Sequence, residues 1–223
     1  MVLLQGALFF LDSGGALLGI LLGFVVGIVA RSVGQAAVAD RLGDRQARVA
    51  GRLSPDPRRH LDPFGVVAVL IAGVGWGKPV PFDERRLGRS RYLLVLAVGP
   101  LVQLLLAYAA FAAWRGYLGA DPQSDAGFVS GLLVFFALVN VGCAVLSLVP
   151  LPPLDANRAL WSLAPRTAGW QRARYYSEEQ NYGLAALVVL LLPLFSGVGL
   201  IMRLVHAVGG PVVRLMLLTL GVN

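Results

Sequence analysis

The sequence predicts an all-α integral membrane protein, a polytopic bundle of about four to six membrane segments, and three observations predict it. Of the 223 residues, 57% are hydrophobic and only 14% charged, whereas a soluble domain keeps about a quarter of its residues charged to hold its surface in water. The apolar residues come in long uncharged blocks, Gly14 to Ala30, Tyr92 to Trp114, Ala126 to Leu154 and Gly183 to Met202. Sixteen of the nineteen Lys and Arg residues fall into three segments, Arg31 to Arg59, Lys78 to Arg91 and Arg158 to Arg174.

An α-helix rises about 1.5 Å per residue, so roughly 20 apolar residues cross a hydrocarbon core about 30 Å thick. Three blocks meet that length, and the first meets it if its helix runs on through Arg31. The first helix is expected from about Leu17 through Val38, with Arg31, Ser32 and Gln35 near its basic end. A charged stretch from Asp40 to Pro63 follows, with turn signals at Leu42-Gly43-Asp44 and Ser54-Pro55-Asp56-Pro57. It has room for a small β-hairpin. Phe64 to Gly77 is apolar, too short to span, rich in glycine and flanked by basic residues on both sides. A re-entrant or sharply bent segment returning to its own side fits that pattern.

The second span is expected over Tyr92 to Trp114 and the third from Phe128 to about Val149. The third ends at Pro150-Leu151-Pro152-Pro153-Leu154-Asp155, where prolines without amide donors stop a regular helix. Unwound backbone at membrane depth must be buried in protein or line a wet cavity. A polar stretch from Ala156 to Tyr182 leads to a fourth span, Gly183 to Met202, bent at Pro193. The tail from Arg203 to Val222 reads as a short or interfacial span. These segments form a single membrane domain over 1–223, with a core of about 14–155 and a C-terminal region of polar loop and membrane segments over 156–223.

Charge fixes the expected orientation. Basic loops favour the cytosolic face, so the three basic segments read as inside, and the connection carrying Asp121 and Asp125 reads as outside. The net charge of +7 is then topology and contact with membrane lipids rather than a nucleic-acid footprint. Trp76, Trp114, Trp161 and Trp170 lie near expected span ends, where aromatic belts form. The N-terminal region lacks the basic start of a cleavable signal peptide, and Asp12 interrupts its apolar stretch. Cys143 is the single cysteine, so no intramolecular disulfide is available.

Motifs in order along the chain carry a resemblance. The first loop reads Gly51 through His60-Leu61-Asp62-Pro63-Phe64-Gly65, and Gly75-Trp76-Gly77-Lys78-Pro79-Val80-Pro81 follows. Val98-Gly99-Pro100-Leu101-Val102-Gln103 lies in the second span, and Asn140 precedes Pro150-Leu151-Pro152-Pro153-Leu154-Asp155. Together they resemble the site-2 proteases, intramembrane zinc metalloproteases whose first helix carries H-E-x-x-H and whose last motif ends in N-L-x-P-x-P-P-L-D-G. The match covers roughly Arg31 to Asp155.

The resemblance implies a zinc site at positions where this chain departs from it. The two motif histidines fall on Arg31 and Gln35, the glutamate on Ser32, and the aspartate ligand on Asp155. Arg31 offers a metal no lone pair, Ser32 is no base near neutral pH, and Gln35 is a feeble carbonyl ligand. Gln103 and Ser147 stand where the family has asparagines, and Ala156 where it has a glycine. No catalytic residue, metal ligand or cofactor is therefore expected, zinc included, and Arg31, Ser32, Gln35 and Asp155 are read as vestigial positions.

A guanidinium and a carboxylate stranded at depth relieve each other's cost by pairing, so Arg31 and Asp155 are expected to meet. The alternative has Arg31 snorkelling to the headgroups and Asp155 solvated. His60 and Asp62 are candidates for the mouth of the site, although a loop histidine bonded to backbone is the simpler reading of His60. His206 in the tail is assigned no role.

The function this implies is binding without cleavage. A transmembrane client or partner subunit would lie in a cleft lined by Gln103, Asn140, Ser147, Pro150, Pro152 and Pro153, in a bacterial plasma membrane with the basic loops cytosolic. Two rivals remain: an active intramembrane metalloprotease with an atypical site, Ser32 included, and a small transporter or channel built on the unwound Pro150 to Asp155 segment.

Overall fold

The computed structural model describes Phe10 and residues 12–120, 127–180, 182–191 and 199–222. Helix α1 (Gly14–Arg41) begins slightly before and ends slightly after its expected limits. At about 42 Å it crosses a hydrocarbon core and carries its last turns beyond it. Gly15, Gly19, Gly23 and Gly27 recur every fourth residue and so form one stripe along it.

Helix α6 (Phe128–Leu146) lies on that stripe. A β-carbon at Gly15 would fall 2.2 Å from the Phe128 carbonyl oxygen, and one at Gly19 2.5 Å from that of Leu132. One at Gly23 would fall 2.9 Å from the Phe136 Cα. The contacts advance together along both helices, so α1 and α6 run parallel with their backbones touching, as small-residue stripes permit. Helix α5 (Arg89–Ala120) packs against both. Gln35 of α1 reaches the Leu96 carbonyl while Gly34, one residue before it, lies beside Val98 and Val102, so α5 runs opposite to α1.

Helix α10 (Leu200–Thr219) packs on α6 and, among the described residues, completes four helices long and apolar enough to cross a membrane. Leu18, Leu22 and Val26 of α1 and Leu94, Leu101 and Leu105 of α5 point outward, as side chains facing lipid tails would.

Between α1 and α5 the chain makes the expected return. Asp62 caps α3 (Pro63–Ala72), its carboxylate accepting from the Phe64 and Gly65 amides, and Pro63 occupies the first helical position, where a missing amide costs nothing. Gly73, left-handed at φ 76°, ends the helix. Ten residues reach about 15 Å, half the hydrocarbon thickness. Leu61 then pairs with Gly77, and the Lys78 amide donates to the His60 carbonyl at 2.7 Å. The segment enters and leaves at one end of the bundle.

Two expectations are corrected. No β-hairpin follows the first helix among the described residues. The stretch instead forms α2 (Gln46–Val49) and a 3-10 turn at Pro57–Arg59, where Asp44 and Asp56 each accept from an amide two residues on and so favour tight local turns, Asp44 also accepting from the Asp83 amide at 2.7 Å. The fourth span is not one helix over Gly183 to Met202: the backbone is non-helical at Gly199, α9 (Tyr182–Leu191) lies before it, and the long apolar helix is α10, which starts at Leu200. The bend expected at Pro193 lies outside the described residues. Arg203, His206 and Arg214 interrupt the apolar run of the tail and made it read as interfacial.

A smaller core of Ala36, Ala39, Ala47, Val80, Phe82, Leu87, Tyr92, Val95 and Leu96 sits under the charged end. Helix α4 (Glu84–Leu87), α7 (Asp155–Leu163) and α8 (Ala168–Arg174) gather there. Arg158 fastens these pieces together: its guanidinium lies 4.0 Å from the Phe82 ring centroid and donates to the Val80 carbonyl at 3.0 Å and the Phe82 carbonyl at 3.2 Å. All three basic segments therefore share one end of the bundle.

Candidate functional site

The glycine stripe of α1 continues in the same four-residue step to Arg31 and Gln35. One helix face thus presents first small residues for close packing and then two polar groups at depth. Asp155 arrives from the far end of the sequence. After α6 the Pro150–Leu154 segment turns on local bonds, Leu154 amide to Leu151 carbonyl and Ala156 amide to Ser147 carbonyl, both at 3.0 Å. Those bonds satisfy backbone that a helix would otherwise satisfy. Asp155 is the first residue of α7, where the amide dipoles favour a negative charge.

The Arg31 guanidinium donates to Oδ2 of Asp155, and both side chains are about nine-tenths buried, 9% and 10% exposed. Gln35 adds a second donor to the same oxygen at 2.9 Å and reaches the Leu96 carbonyl at 3.3 Å. Of the two arrangements open to Arg31 in the sequence, the inward one is adopted. A cavity of about 10 Å³, room for about one water, adjoins the pair and is lined by Ser32, Trp76, Lys78, Val80 and Pro153 among others.

Gly99 of α5 completes the arrangement. A β-carbon there would sit 2.7 Å from Nε2 of Gln35, 3.0 Å from Oδ2 of Asp155 and 3.2 Å from Nη2 of Arg31. The place of Gly99 against three polar groups has no signature in local sequence, because those groups come from two other elements.

The remaining candidate residues are dispersed. Asn140 donates to the Gly23 carbonyl at 3.1 Å and the Phe136 carbonyl at 2.9 Å, joining α6 to the glycine stripe. Ser147 donates to the Ala144 carbonyl at 2.6 Å. Gln103 is buried within the bundle, Pro152 lies beside Gly183, and Pro150 is exposed. Pro153 alone of the expected cleft residues lines the cavity beside the pair. His60 is fully buried with Nε2 2.7 Å from the Ser54 carbonyl, so it ties the loop together, and Asp62 caps α3. His206 lies in an apolar groove between α6 and α10.

The chain is similar in sequence to named bacterial proteins. The chain is 35% identical over 162 residues to the Bacillus subtilis protein named "Putative zinc metalloprotease YwhC", a match covering 70% of this chain and 72% of that protein. It is also 35% identical over 172 residues to the Mycobacterium tuberculosis protein named "Putative zinc metalloprotease Rip2", and 30% identical over 166 residues to Rip2 of Mycolicibacterium smegmatis. The chain belongs to the site-2 protease family. The matched stretch spans 72% of YwhC, and 63% and 61% of the two Rip2 proteins. No family model and no solved structure matches it.

The family implies zinc, and the residues at this site do not fit it. A catalytic zinc takes three nitrogen, sulfur or carboxylate ligands and keeps one open position. Here Asp155 gives one oxygen to two donors, Arg31 has only N–H groups to offer, and Gln35 turns its amide nitrogen to the carboxylate. Among the described residues no group of three His, Cys, Asp or Glu is placed to hold a metal. A fixed positive charge, carried on the protein itself, stands beside the family aspartate.

Proposed function

We propose that this site-2 protease family member holds a transmembrane client or partner subunit without cleaving it. The observation that carries the reading is the Arg31–Asp155 pair with Gln35 beside it, which commits the family's aspartate to two donors of the chain itself. Peptide hydrolysis by this family's chemistry needs an activated water and a general base next to it. Arg31, Ser32 and Gln35 supply neither.

The same pair gives a reason for the scaffold to persist. It closes α1, α5 and the Pro150–Asp155 segment on one another, with the guanidinium serving as a structural cross-link. A client would dock along the rim of the small cavity, where the extended Lys78–Val80 backbone faces Pro153 and Leu154. We assign the membrane as bacterial plasma membrane, with the basic end of the bundle in the cytosol, by the positive-inside rule. Membrane lipids and a helical client are the partners this reading requires; zinc and nucleic acid are not.

The test uses the full chain reconstituted in nanodiscs with a panel of fluorescent single-span peptides of differing juxtamembrane sequence. Energy transfer between peptide and protein reports binding, and mass spectrometry reports cleavage with and without added zinc. The expected result is saturable binding of at least one peptide and no product in either condition. Zinc-dependent products would establish the active metalloprotease instead, and binding no better than that of a scrambled polyleucine span would remove the client.

A further inference from the structure

A cavity far larger than the one beside the Arg31–Asp155 pair lies at the charged end of the bundle. It measures about 1070 Å³ and opens to solvent between the start of α5, the α4 turn, α7 and α8. Pockets for small ligands usually measure about 300 to 1,000 Å³. Five arginines and three carboxylates line it, and their partners decide what it attracts.

Arg89 lies 3.6 Å from Glu84 and Arg174 lies 2.7 Å from Glu178, which cancels two of the five positive charges locally. Asp83 spends a carboxylate oxygen on the Arg85 amide at 2.9 Å. Arg158 donates only to neutral groups, the Tyr92 hydroxyl and two carbonyls, so its charge stays uncompensated. Arg85 and Arg166 are exposed and have no ion pair among the described residues. Arg85, Arg158 and Arg166 stand outside ion pairs and Asp83 offsets one of them, so the lining keeps a net charge of +2 and suits an anion rich in acceptors. A phosphate is such an anion, and arginine is the side chain suited to it.

The position of the cavity selects the source. Arg89 and Tyr92 on its wall begin a membrane-spanning helix, and Trp170 and Leu163 beside it expose 39% and 59% of their surface. An aromatic ring next to arginine at a span end matches the headgroup layer, where Trp concentrates and anionic lipid draws basic side chains. We propose that this Arg- and Trp-lined cavity is a binding site for the phosphate headgroup of an anionic phospholipid. The site does not depend on whether the Arg31–Asp155 region binds a client.

The test is native mass spectrometry of delipidated full-length chain titrated with phosphatidylglycerol or phosphatidylcholine. A parallel arm titrates inorganic pyrophosphate and asks whether it displaces bound lipid. The charge-neutral double variant Arg85→Gln/Arg166→Gln is compared with Arg58→Gln/Arg59→Gln, which removes as much charge from the basic loops outside the cavity. The expected result is one tight phosphatidylglycerol per chain, partial displacement by pyrophosphate, and a loss of affinity of about fivefold per cavity arginine. The Arg58/Arg59 variant should lose less than twofold. Tight pyrophosphate binding that phosphatidylglycerol cannot displace would move the source to a soluble phosphate. Equal losses in both variants, or no preference over phosphatidylcholine, would overturn the site, and the lipid-displacement arm on the unaltered chain decides the matter even if a variant fails to fold.

Discussion

Replacing Arg31 by methionine, which keeps an unbranched, flexible stem and removes the charged head, tests whether the buried pair holds the bundle together. Both partners are nine-tenths buried, and removing one member of such a pair leaves an uncompensated charge that costs about 3 to 5 kcal/mol. Gln35 still donates to Asp155 at 2.9 Å, which puts the expected loss for Arg31→Met near the lower end, about 3 kcal/mol. Asp155→Asn strands the guanidinium in the same way. The double variant strands nothing, so it should lose less than the sum of the singles, with a coupling of about 1 to 3 kcal/mol. Steric-trap unfolding in bicelles reads these energies in a membrane-like medium. Single variants that each cost under about 0.5 kcal/mol, and that add, would refute the reasoning and mean that Arg31 prefers the headgroup layer.

Other substitutions follow from the close approaches. Gly99→Ala drives a methyl group against Gln35, Asp155 and Arg31 and should destabilise by about 1 to 3 kcal/mol in the same assay, whereas Gly116→Ala, with open space around it, should be neutral or slightly stabilising. Gly19→Leu meets backbone of α6 rather than a movable side chain, so it should separate α1 from α6, read as lost disulfide trapping between cysteines introduced across the two helices; Gly34→Ala faces only Val98 and Val102 side chains and should leave trapping unchanged. Arg158→Lys keeps the charge but loses the planar fork that reaches the Val80 and Phe82 carbonyls and the stacking on Phe82, at a cost of about 1 to 2 kcal/mol, and should expose the segment around Lys78–Phe82 to limited proteolysis.

The spans α1, α5 and α6 are legible in the sequence because a membrane sets a length, and a length can be counted. The return of the chain at Phe64–Gly77 is legible for the same reason: the segment is too short to cross and basic on both flanks. The C-terminal spans are harder. The long helix α10 starts at Leu200, close to where the apolar block from Gly183 was expected to end, and three polar residues dilute the tail that forms it. The absence of a hairpin goes with local Asx turns at Asp44 and Asp56, which composition does not distinguish from strand ends.

The site divides along the same line. Arg31, Gln35 and Asp155 could be named from motif register, and opposite charge at depth predicts that they meet. The four-residue step of Gly15, Gly19, Gly23 and Gly27 was equally available, and it leads directly to Arg31 and Gln35. It was missed because single glycines read as composition until their spacing is counted. Gly99 and the placing of Asn140 against the glycine stripe are consequences of helix pairing, which local sequence does not record.

The most direct measurement of the central claim is metal content per chain, by plasma mass spectrometry on detergent-purified protein, for the unaltered sequence and for Arg31→His/Ser32→Glu/Gln35→His. The account predicts substoichiometric zinc in the unaltered chain and close to one zinc per chain in the triple variant, since the four-residue step already sets positions 31 and 35 against Asp155. One zinc per chain in the unaltered protein would contradict it and return the site to the active metalloproteases.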